Sequence, residues 1–295
     1  MNTAGAAIRG TLLRNEPMCL HTSLKVGGPA DLYAIPEDAA DLQSLLIWLG
    51  EQGIPWLTIG KGYNLLVRDT GIRGAVISLE RFNKITAMGD RLLAAEAGAE
   101  NLAVVRFAQN RGLGGIGFIS GIPGTIGGAV KMNAGAYGEG ILEKTDRLTL
   151  LRGGAVADFP MNELDYGYRR LNLAEGDIVL AAVFRLVERD PLLTEEEIRN
   201  DLELRRSKHN VGYPSAGSFF KNPAGQAAWR LIEAAGMRGA RVGGAQVSLV
   251  HSNFLVNTGG ACADDFLELA EKVKCAVFST CGVTLEEEVR IVGAV

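Results

Sequence analysis

The sequence predicts an α+β fold, in which helices and short strands occupy separate blocks. Four leucines between residues 42 and 49 recur at i, i+3, i+4 and i+7, which indicates an amphipathic helix. A second long helix is predicted from Ala263 to Phe278, with apolar residues along one face. Short apolar runs bounded by glycine or proline predict strands elsewhere. Because strands and helices do not alternate one by one, we expect α+β rather than a doubly wound parallel sheet.

The first two thirds of the chain give a clear order of elements. The leucine helix begins after Pro36 and ends at Gly53-Ile54-Pro55, where glycine and proline cannot continue it. A strand follows at Trp56 to Ile59. Further strands are predicted at Ala75 to Leu79, Leu92 to Ala97, Leu148 to Leu151 and Ile178 to Leu186, and a helix at Asn101 to Asn110.

A second module begins after Asp190-Pro191. Thr194 and Glu197 have the spacing of a capping box, which predicts that a helix starts at Thr194. Another helix covers Gln226 to Ala235, and a strand near residues 285–291 follows the last helix. The length of 295 residues agrees with two or three domains.

Composition excludes several classes of function. The net charge of −4 gives no general field for nucleic acid, so an anionic ligand needs a local cluster of cations. Four cysteines without a C-x-x-C pair, and three histidines, do not support a zinc site. The N-terminal residues lack the apolar core of a signal peptide, and no apolar run approaches the ~20 residues of a membrane span. We expect a soluble, cytoplasmic protein without a metal.

Two glycine-rich stretches are candidates for ligand binding, and the second fits that function better than the first. Gly112 to Gly117 satisfies G-x-G-x-x-G, but a helical segment precedes it where a dinucleotide fingerprint needs a strand. Residues 119–129 are a run of small residues whose backbone amides can surround a phosphate, and residues 133–138 continue this composition. The alternative is a tightly packed system of turns in which glycine only relieves crowding.

Several motifs resemble, in the expected order, those of the UDP-N-acetylenolpyruvoylglucosamine reductases (MurB). The run from Gly121 to Gly138 is similar to the segment that binds the flavin pyrophosphate in that family. The other motifs are Thr22 to Ala30, Gly60 to Leu66, Tyr168-Arg169, Gly217 to Pro223 and Leu285 to Arg290. The resemblance covers nearly the whole chain.

The resemblance implies an FAD-binding fold of the vanillyl-alcohol-oxidase type with a C-terminal substrate domain. It also implies NADPH as the electron donor and a UDP-sugar enolpyruvyl ether as the substrate. The first flavin loop contains no histidine, so FAD should be bound without a covalent link. The residues implied to bind FAD are Gly60, Gly62, Asn64, Leu65, Gly121, Pro123, Gly124, Thr125, Gly127, Gly128, Ala129, Asn133, Gly135, Ala136 and Tyr137.

The same resemblance implies three domains and a subclass. The first FAD-binding subdomain covers 1–66 together with 285–295, the second covers 67–190, and the substrate domain covers 191–284. Relatives usually carry glycine and serine where this chain has Lys61 and Tyr63, so the resemblance leaves open whether those two side chains contact FAD. The short connection after Arg169 is similar to the subclass that lacks an extra loop with a tyrosine. We expect a monomer.

Three residues are implied to be catalytic, and each has a plainer alternative. Hydride addition to the enol ether leaves negative charge on the adjacent carbon that delocalises into the carboxylate as a dianionic enolate, so catalysis needs positive charge and one proton. Arg169 suits the carboxylate, although it could be a surface arginine. Ser218 matches the family's proton donor, although alone it reads as a turn residue. On a terminal strand, spacing does not choose between Glu286 and Glu288; the family motif selects Glu288.

Lys221 and Asn222 are expected to bind the phosphates and nearby polar groups of the substrate. Two other functions remain open from the sequence. A flavin oxidase of the same fold would share the phosphate-binding loops and pass electrons to oxygen. A flavin- or UDP-sugar-binding regulator would hold a ligand without oxidising NADPH. Neither function needs the motifs around Ser218 and Glu288.

Overall fold

The computed structural model describes residues 8–136, 138–209 and 211–294. Its six helices are α1 (Ala39–Glu51), α2 (Asn101–Gln109), α3 (Ile126–Lys131), α4 (Pro191–His209), α5 (Ala228–Ala234) and α6 (Ala263–Cys281). The strands through residue 140 are β1 (Thr11–Pro17), β2 (Pro29–Ile35), β3 (Trp56–Ile59), β4 (Leu65–Val67), β5 (Ile72–Ser78), β6 (Ile85–Gly89), β7 (Leu92–Glu96), β8 (Leu113–Gly114), β9 (Gly135–Ala136) and β10 (Glu139–Gly140). The later strands are β11 (Thr145–Arg152), β12 (Ala155–Pro160), β13 (Asp165–Gly167), β14 (Arg170–Asn172), β15 (Ile178–Arg185), β16 (Val187–Glu188), β17 (Ser215–Ser218), β18 (Arg241–Val242), β19 (Ala245–Val247), β20 (Phe254–Asn257) and β21 (Arg290–Val292).

The chain divides into two compact units. The first holds the described residues up to Leu13 together with 33–60 and 75–203, and the second holds 14–32, 61–74 and the described residues from 204 onward. The three-domain division implied by the resemblance stays a prediction. β1, β2, β5 and β3 form, in that order, a four-stranded sheet.

The core of the first unit lies between an antiparallel sheet and two short helices. The sheet has the order β12-β11-β15-β7-β6. Buried side chains of its central strands, including Leu148 and Phe184, cluster with Val104 of α2 and with Ile126 and Val130 of α3. Burial of such side chains is the main favourable term in folding. This packing holds α3, and with it the small-residue run, against the sheet.

The core of the second unit is built around α6 and a smaller antiparallel sheet. That sheet has the order β17-β20-β19-β18. Phe266, Val273 and Val277 of α6 cluster with Phe219 and Leu255. The C-terminal strand β21 pairs in parallel with β4, with Arg290 opposite Leu65. The residues around Ser218 are thereby anchored in a core.

Most predicted elements are confirmed, with the expected physical causes. In α1 the predicted leucine face is turned inward, and the Asp38 carboxylate accepts the Asp41 amide at the first turn. β3 has the predicted bounds, and it pairs in parallel with residues 75–78 of β5. Helix α2 precedes the G-x-G-x-x-G match and a short 3-10 turn follows it, so the match does not form a strand–loop–helix unit. The mixture of separate sheets and helices confirms the α+β class.

Several predicted boundaries differ from the observed ones, and two of these differences have a clear physical cause. Helix α4 begins at Pro191 rather than Thr194, because Asp190 accepts the Leu192 amide at 2.8 Å and Pro191 suits a first helical turn. Thr194 therefore lies inside the helix and is not its cap. The terminal strand is regular only at Arg290–Val292, since the segment before it makes an isolated bridge between Phe220 and Glu287.

Two classes of feature are absent from the part of the chain that the structure describes. No helix there is long and apolar enough to cross a membrane. Nor do three or more metal-binding side chains lie together there in a way that could hold an ion.

The two exposed helix ends predict a pair of opposite stability changes. Gly282 ends α6 with a left-handed φ of 68°, and a Cβ there meets no atom within 4 Å. Gly282→Ala should therefore lower the free energy of unfolding by about 1–2 kcal/mol through backbone strain alone. Gly50 lies in α1 with equally open space, so Gly50→Ala should raise that free energy by roughly 0.5–1 kcal/mol. Urea unfolding measures both; a loss of stability in both variants contradicts this account.

Candidate functional site

The small-residue run of the first unit is tied by its backbone to residues 97–101. The amides of Ile126 and Gly127 donate to the carbonyls of Ala99 and Ala97 at 2.9 and 2.8 Å. The side chain of Asn101 donates to the Ile122 carbonyl at 3.0 Å. Since these two amides are used within the protein, the run does not offer all of its amides to a ligand.

Two glycines leave the backbone of this run open on one side. A Cβ at Gly124, where φ is +136°, or at Gly128 would have its nearest neighbour 3.9 Å away. At Gly127, by contrast, a Cβ would lie 2.8 Å from the Cβ of Ala97. Gly60 of the first loop faces this run, since a Cβ there would lie 2.8 Å from Thr125 Oγ1. The open backbone beside Gly124 and Gly128 suits the close approach of a phosphate group and so fits FAD.

Asn133 connects the end of this run to a neighbouring hairpin. It is buried and has a left-handed φ of 41°. Its Nδ2 donates to the Gly167 carbonyl at 2.9 Å, and its Oδ1 accepts the Leu142 amide at 3.1 Å. Gly135 and Ala136 form β9, and Tyr137 lies outside the described residues.

Arg169 occupies the turn of the hairpin between β13 and β14, with a left-handed φ of 54°. Its guanidinium donates to the carbonyls of Asn133 at 3.3 Å and Gly135 at 3.0 Å. The structure thus brings Arg169 together with two residues of the predicted FAD segment. Arg170, next to it, is exposed and lies near Asp165, as expected of a surface arginine.

The second unit holds the rest of the first loop. Gly62 has a φ of +64°, and a Cβ there would lie 2.0 Å from the His21 carbonyl oxygen, so only glycine fits. Asn64 donates from Nδ2 to the Glu288 carbonyl at 2.9 Å and accepts the Arg290 amide on its own carbonyl at 3.0 Å. Leu65 is buried and pairs with Arg290. The loop is therefore attached to the C-terminal segment that carries Glu288.

Ser218 lies at the end of β17, after Gly217, whose φ is +76°. The amide of Glu288 donates to the Phe219 carbonyl at 2.8 Å. The structure therefore places Ser218 and Glu288 on adjacent, hydrogen-bonded segments of the second unit, although they are far apart in the sequence.

The neighbours of Glu288 in the chain have lysine partners. Glu286, whose side chain is 74% exposed, accepts from Lys221 Nζ at 3.1 Å. Glu287 accepts from Lys274 at 3.0 Å, and hydrogen bonds to Glu271 and Glu287 raise the pKa of Lys274. Glu288 itself is half-buried. Glu288 is therefore less exposed than Glu286, a difference that residue spacing in the sequence could not show.

Asn222 has a role in the fold that its sequence context does not reveal. Its Oδ1 accepts the amide of Ala228 at 3.0 Å, at the start of α5. This bond satisfies one of the amides that a helix leaves without a partner in its first turn. Any contact of Asn222 with substrate therefore has to be compatible with this cap.

Sequence analysis missed Asn253, which is buried beside Ser218. Its side chain bonds both the amide and the carbonyl of Phe220, at 3.0 and 2.8 Å. Nearby, burial lowers the pKa of His251, whose ring lies 4.7 Å from that of Phe254. The only sequence signal for Asn253 is a polar residue directly before an apolar strand, which is too common to indicate a site.

Comparison with known protein families matches a family profile to each half of the chain. The family profile described as "FAD binding domain" matches residues 30–151. A second profile, described as "UDP-N-acetylenolpyruvoylglucosamine reductase, C-terminal domain", matches residues 209–292. Together with the open backbone beside Gly124 and Gly128, these matches define an FAD-containing oxidoreductase.

Full-length relatives narrow the class to one family. The reductases of that name from Pelobacter propionicus and Geotalea uraniireducens are 72% and 57% identical, over 99% and 98% of this chain and 99% and 96% of theirs. The crystal structure of the reductase from Thermus caldophilus has a TM-score of 0.82 at 33% identity, and the match covers 96% of this chain and 99% of that one. The chain belongs to the UDP-N-acetylenolpyruvoylglucosamine reductase family. The FAD-binding α+β fold implied by the resemblance is confirmed.

The difference between Gly127 and Gly128 predicts a test of the FAD segment. Gly128→Ala adds a methyl group in open space, so the apoprotein should keep its stability while FAD affinity falls about tenfold or more, roughly 1.4 kcal/mol. Gly127→Ala should instead destabilise the apoprotein, because its methyl group meets Ala97. Fluorescence titration with FAD and urea unfolding of the apoprotein separate the two effects. Unchanged affinity in Gly128→Ala contradicts close approach of the cofactor.

Proposed function

We propose that Arg169, Ser218 and Glu288 catalyse, in this chain, the reaction of its family. That reaction is the reduction of UDP-N-acetylglucosamine enolpyruvate to UDP-N-acetylmuramate, a step of peptidoglycan precursor synthesis. The electrons come from NADPH by way of FAD. The observation that carries the proposal is the 2.8 Å hydrogen bond from the Glu288 amide to the carbonyl of Phe219, the residue after Ser218.

The cofactor site uses two stretches of open or glycine-rich backbone. The residues that would hold FAD are Gly60, Gly62, Asn64 and Leu65 of the first loop and Gly121, Pro123, Gly124, Thr125, Gly127, Gly128, Ala129, Asn133, Gly135, Ala136 and Tyr137 of the second segment. Once reduced by NADPH, FAD held by these residues would supply the hydride for the terminal carbon of the enolpyruvyl group. Because the protein contacts would be mostly backbone atoms, the site needs no net positive charge.

Arg169 would bind the carboxylate of the enolpyruvyl group. A guanidinium carries five N–H donors, and the bonds to the Asn133 and Gly135 carbonyls fix its plane. A fixed fork matches a carboxylate in two parallel hydrogen bonds. As the enolate forms, negative charge spreads onto that carboxylate, and the permanent charge of Arg169 stabilises the transition state more than the substrate.

Ser218 would donate the proton to the carbon that bears the enolate charge. A serine hydroxyl is a weak acid, so the step depends on a strongly basic acceptor and on accurate placement of the Oγ atom. Glu288, on the segment bonded to Phe219, would assist the enolate in its protonated or hydrogen-bonded form. Its half-burial supports this choice over Glu286, whose side chain is 74% exposed.

Lys221 and Asn222 would bind the substrate diphosphate and nearby polar groups. Lys221 lies 3.1 Å from Glu286 at the surface, where an ion pair contributes little free energy. A diphosphate, with more charge than one carboxylate, can replace Glu286 as the partner of Lys221. Asn222 can keep its bond to the Ala228 amide while its amide group faces a polar ligand atom.

The remaining properties follow from the same assignment. The protein acts in the cytoplasm, where the UDP-sugar and NADPH are found, and as a monomer. It belongs to the subclass without the extra tyrosine loop, because only residues 173–177 separate β14 from β15. An anaerobic absorption spectrum tests the function as a whole. FAD bands that bleach with NADPH and return with the enolpyruvyl UDP-sugar support it, whereas return only with oxygen favours an oxidase.

Replacement of Ser218 separates the two half-reactions. Ser218→Ala should leave flavin reduction by NADPH intact and slow reoxidation by the enolpyruvyl sugar by about 10²–10⁴-fold, because the proton donor is lost. Ser215→Ala is the matched control, since Ser215 lies on the same strand opposite Val256. Stopped-flow absorbance measures both steps. Reoxidation at the wild-type rate in Ser218→Ala would contradict the role of Ser218 as proton donor.

Arg169 and its neighbour give a second matched pair. Arg169→Lys should lower kcat for the sugar by about 10²-fold or more, because an ammonium group cannot make two parallel bonds to a carboxylate. Arg170→Lys should leave kcat and KM unchanged, since Arg170 is exposed beside Asp165. Steady-state kinetics with saturating NADPH measures the difference. Equal effects of the two substitutions contradict a specific role for Arg169.

A further inference from the structure

Asn253 continues a strand ladder with its side chain. It is 3% exposed and lies directly before β20. Its Oδ1 accepts the Phe220 amide at 3.0 Å and its Nδ2 donates to the Phe220 carbonyl at 2.8 Å. Its own carbonyl accepts the Phe219 amide at 2.7 Å. The side chain thus makes with Phe220 the two bonds that a facing strand residue would make.

The bonds between Asn253 and Phe220 lie next to an irregularity in the strand pairing of β17 at Ser218. In the pairing of β17 with β20, Ser215 faces Val256 and Ser218 faces Phe254, so β17 contains one extra residue. The extra residue falls at Gly217, which has a φ of +76°. A bulge bends its strand and redirects the side chains next to it. Ser218 therefore has a bulge on one side and the Asn253 bonds on the other.

The residues that Asn253 holds also hold Glu288. Phe219 accepts the Glu288 amide at 2.8 Å, and the Lys221 amide donates to the Glu286 carbonyl at 2.8 Å. Phe219 to Lys221 thus form a middle segment, bonded to Asn253 on one side and to Glu286–Glu288 on the other. A displacement of Phe220 would move Ser218 and Glu288 relative to each other.

We infer that Asn253 is a positioning residue for the oxidative half-reaction, because it fixes Ser218, the residue that follows the bulge, against the segment of Glu288. This inference rests on the proposed roles of Ser218 and Glu288. Asn253 acts through the backbone and donates no proton itself. A misplacement of about 1 Å in a catalytic group is enough to slow a reaction by roughly 10²-fold.

Asn257 is a matched control in the same unit. It is also a buried asparagine, at 8% exposure, whose side chain bonds only backbone. Its Nδ2 donates to the Leu24 carbonyl and its Oδ1 accepts the Gly259 amide, both at 3.0 Å. Its side-chain bonds go to neither Phe219, Phe220 nor Glu288. A purely structural role predicts similar consequences for the loss of either asparagine.

The test measures flavin reduction by NADPH and flavin reoxidation by the enolpyruvyl UDP-sugar in single turnovers of the holoenzyme. Asn253→Ala should slow reoxidation by about 10²-fold while the reduction rate and FAD affinity stay unchanged. Asn257→Ala should lower the thermal stability without changing the ratio of the two rates. If Asn253→Ala does not fold, Asn253→Asp keeps Oδ1 and the volume, replaces the donor Nδ2 by an oxygen that faces the Phe220 carbonyl, and should show the same selective effect.

A double-variant cycle tests whether Asn253 acts through Ser218. Once Ser218→Ala has removed the proton donor, Asn253→Ala should slow reoxidation little further. The full effect of Asn253→Ala in that background overturns the inference, as does equal slowing of both half-reactions. Wild-type enzyme that the sugar does not reoxidise overturns the proposed function itself, and this outcome is seen before any variant is compared.

Discussion

The hydrogen bond from the Glu288 amide to the Phe219 carbonyl is the contact on which the second unit's candidate site depends. It joins two segments that come from opposite ends of the C-terminal module. Asn64 extends the connection, because it donates to the Glu288 carbonyl and accepts from the Arg290 amide. The proposed proton donor Ser218, the carboxyl group of Glu288 and part of the predicted first flavin loop therefore share one backbone network. This network fixes the positions of Ser218 and Glu288 through uncharged hydrogen bonds. Ion pairs in the same place would compete with the substrate for the charged side chains.

The first unit meets a different constraint, which is to bring backbone close to a ligand without leaving its own polar groups unpaired. Ile126 and Gly127 use their amides within the protein, whereas the backbone beside Gly124 and Gly128 stays open. Arg169 is tied to the carbonyls of Asn133 and Gly135. Left-handed backbone at Asn133 and Arg169 costs free energy, and residues under such strain are common at functional sites.

An acidic chain can serve anionic ligands because the attraction is local. The net charge is −4, so no long-range field collects the UDP-sugar, NADPH or FAD. In the proposed site, Lys221 and Arg169 supply positive charge, and open backbone supplies amides. Lys221 is held by Glu286 at the surface, where the pair exchanges readily with solvent. Under the proposed assignment, affinity for phosphate arises from a few groups in defined places.

Periodicity and motif order by themselves determined the α+β class, the leucine face of α1, the strand at Trp56–Ile59 and the membership of a reductase family, because these signals are local. At α4 two local capping signals compete, and at α6 the start at Ala263 was predicted correctly but its long-range partner was not. Asp190 replaces Thr194 at α4, and the first amides of α6 donate to the carboxylate of Asp69, 194 residues away from Ala263. The network around Asn253 depended likewise on tertiary structure, whereas the family motif selected Glu288 over Glu286 and its role stays a proposal. Hydrogen bonds and burial between distant segments leave no periodic trace in the sequence, so only the folded chain decides them.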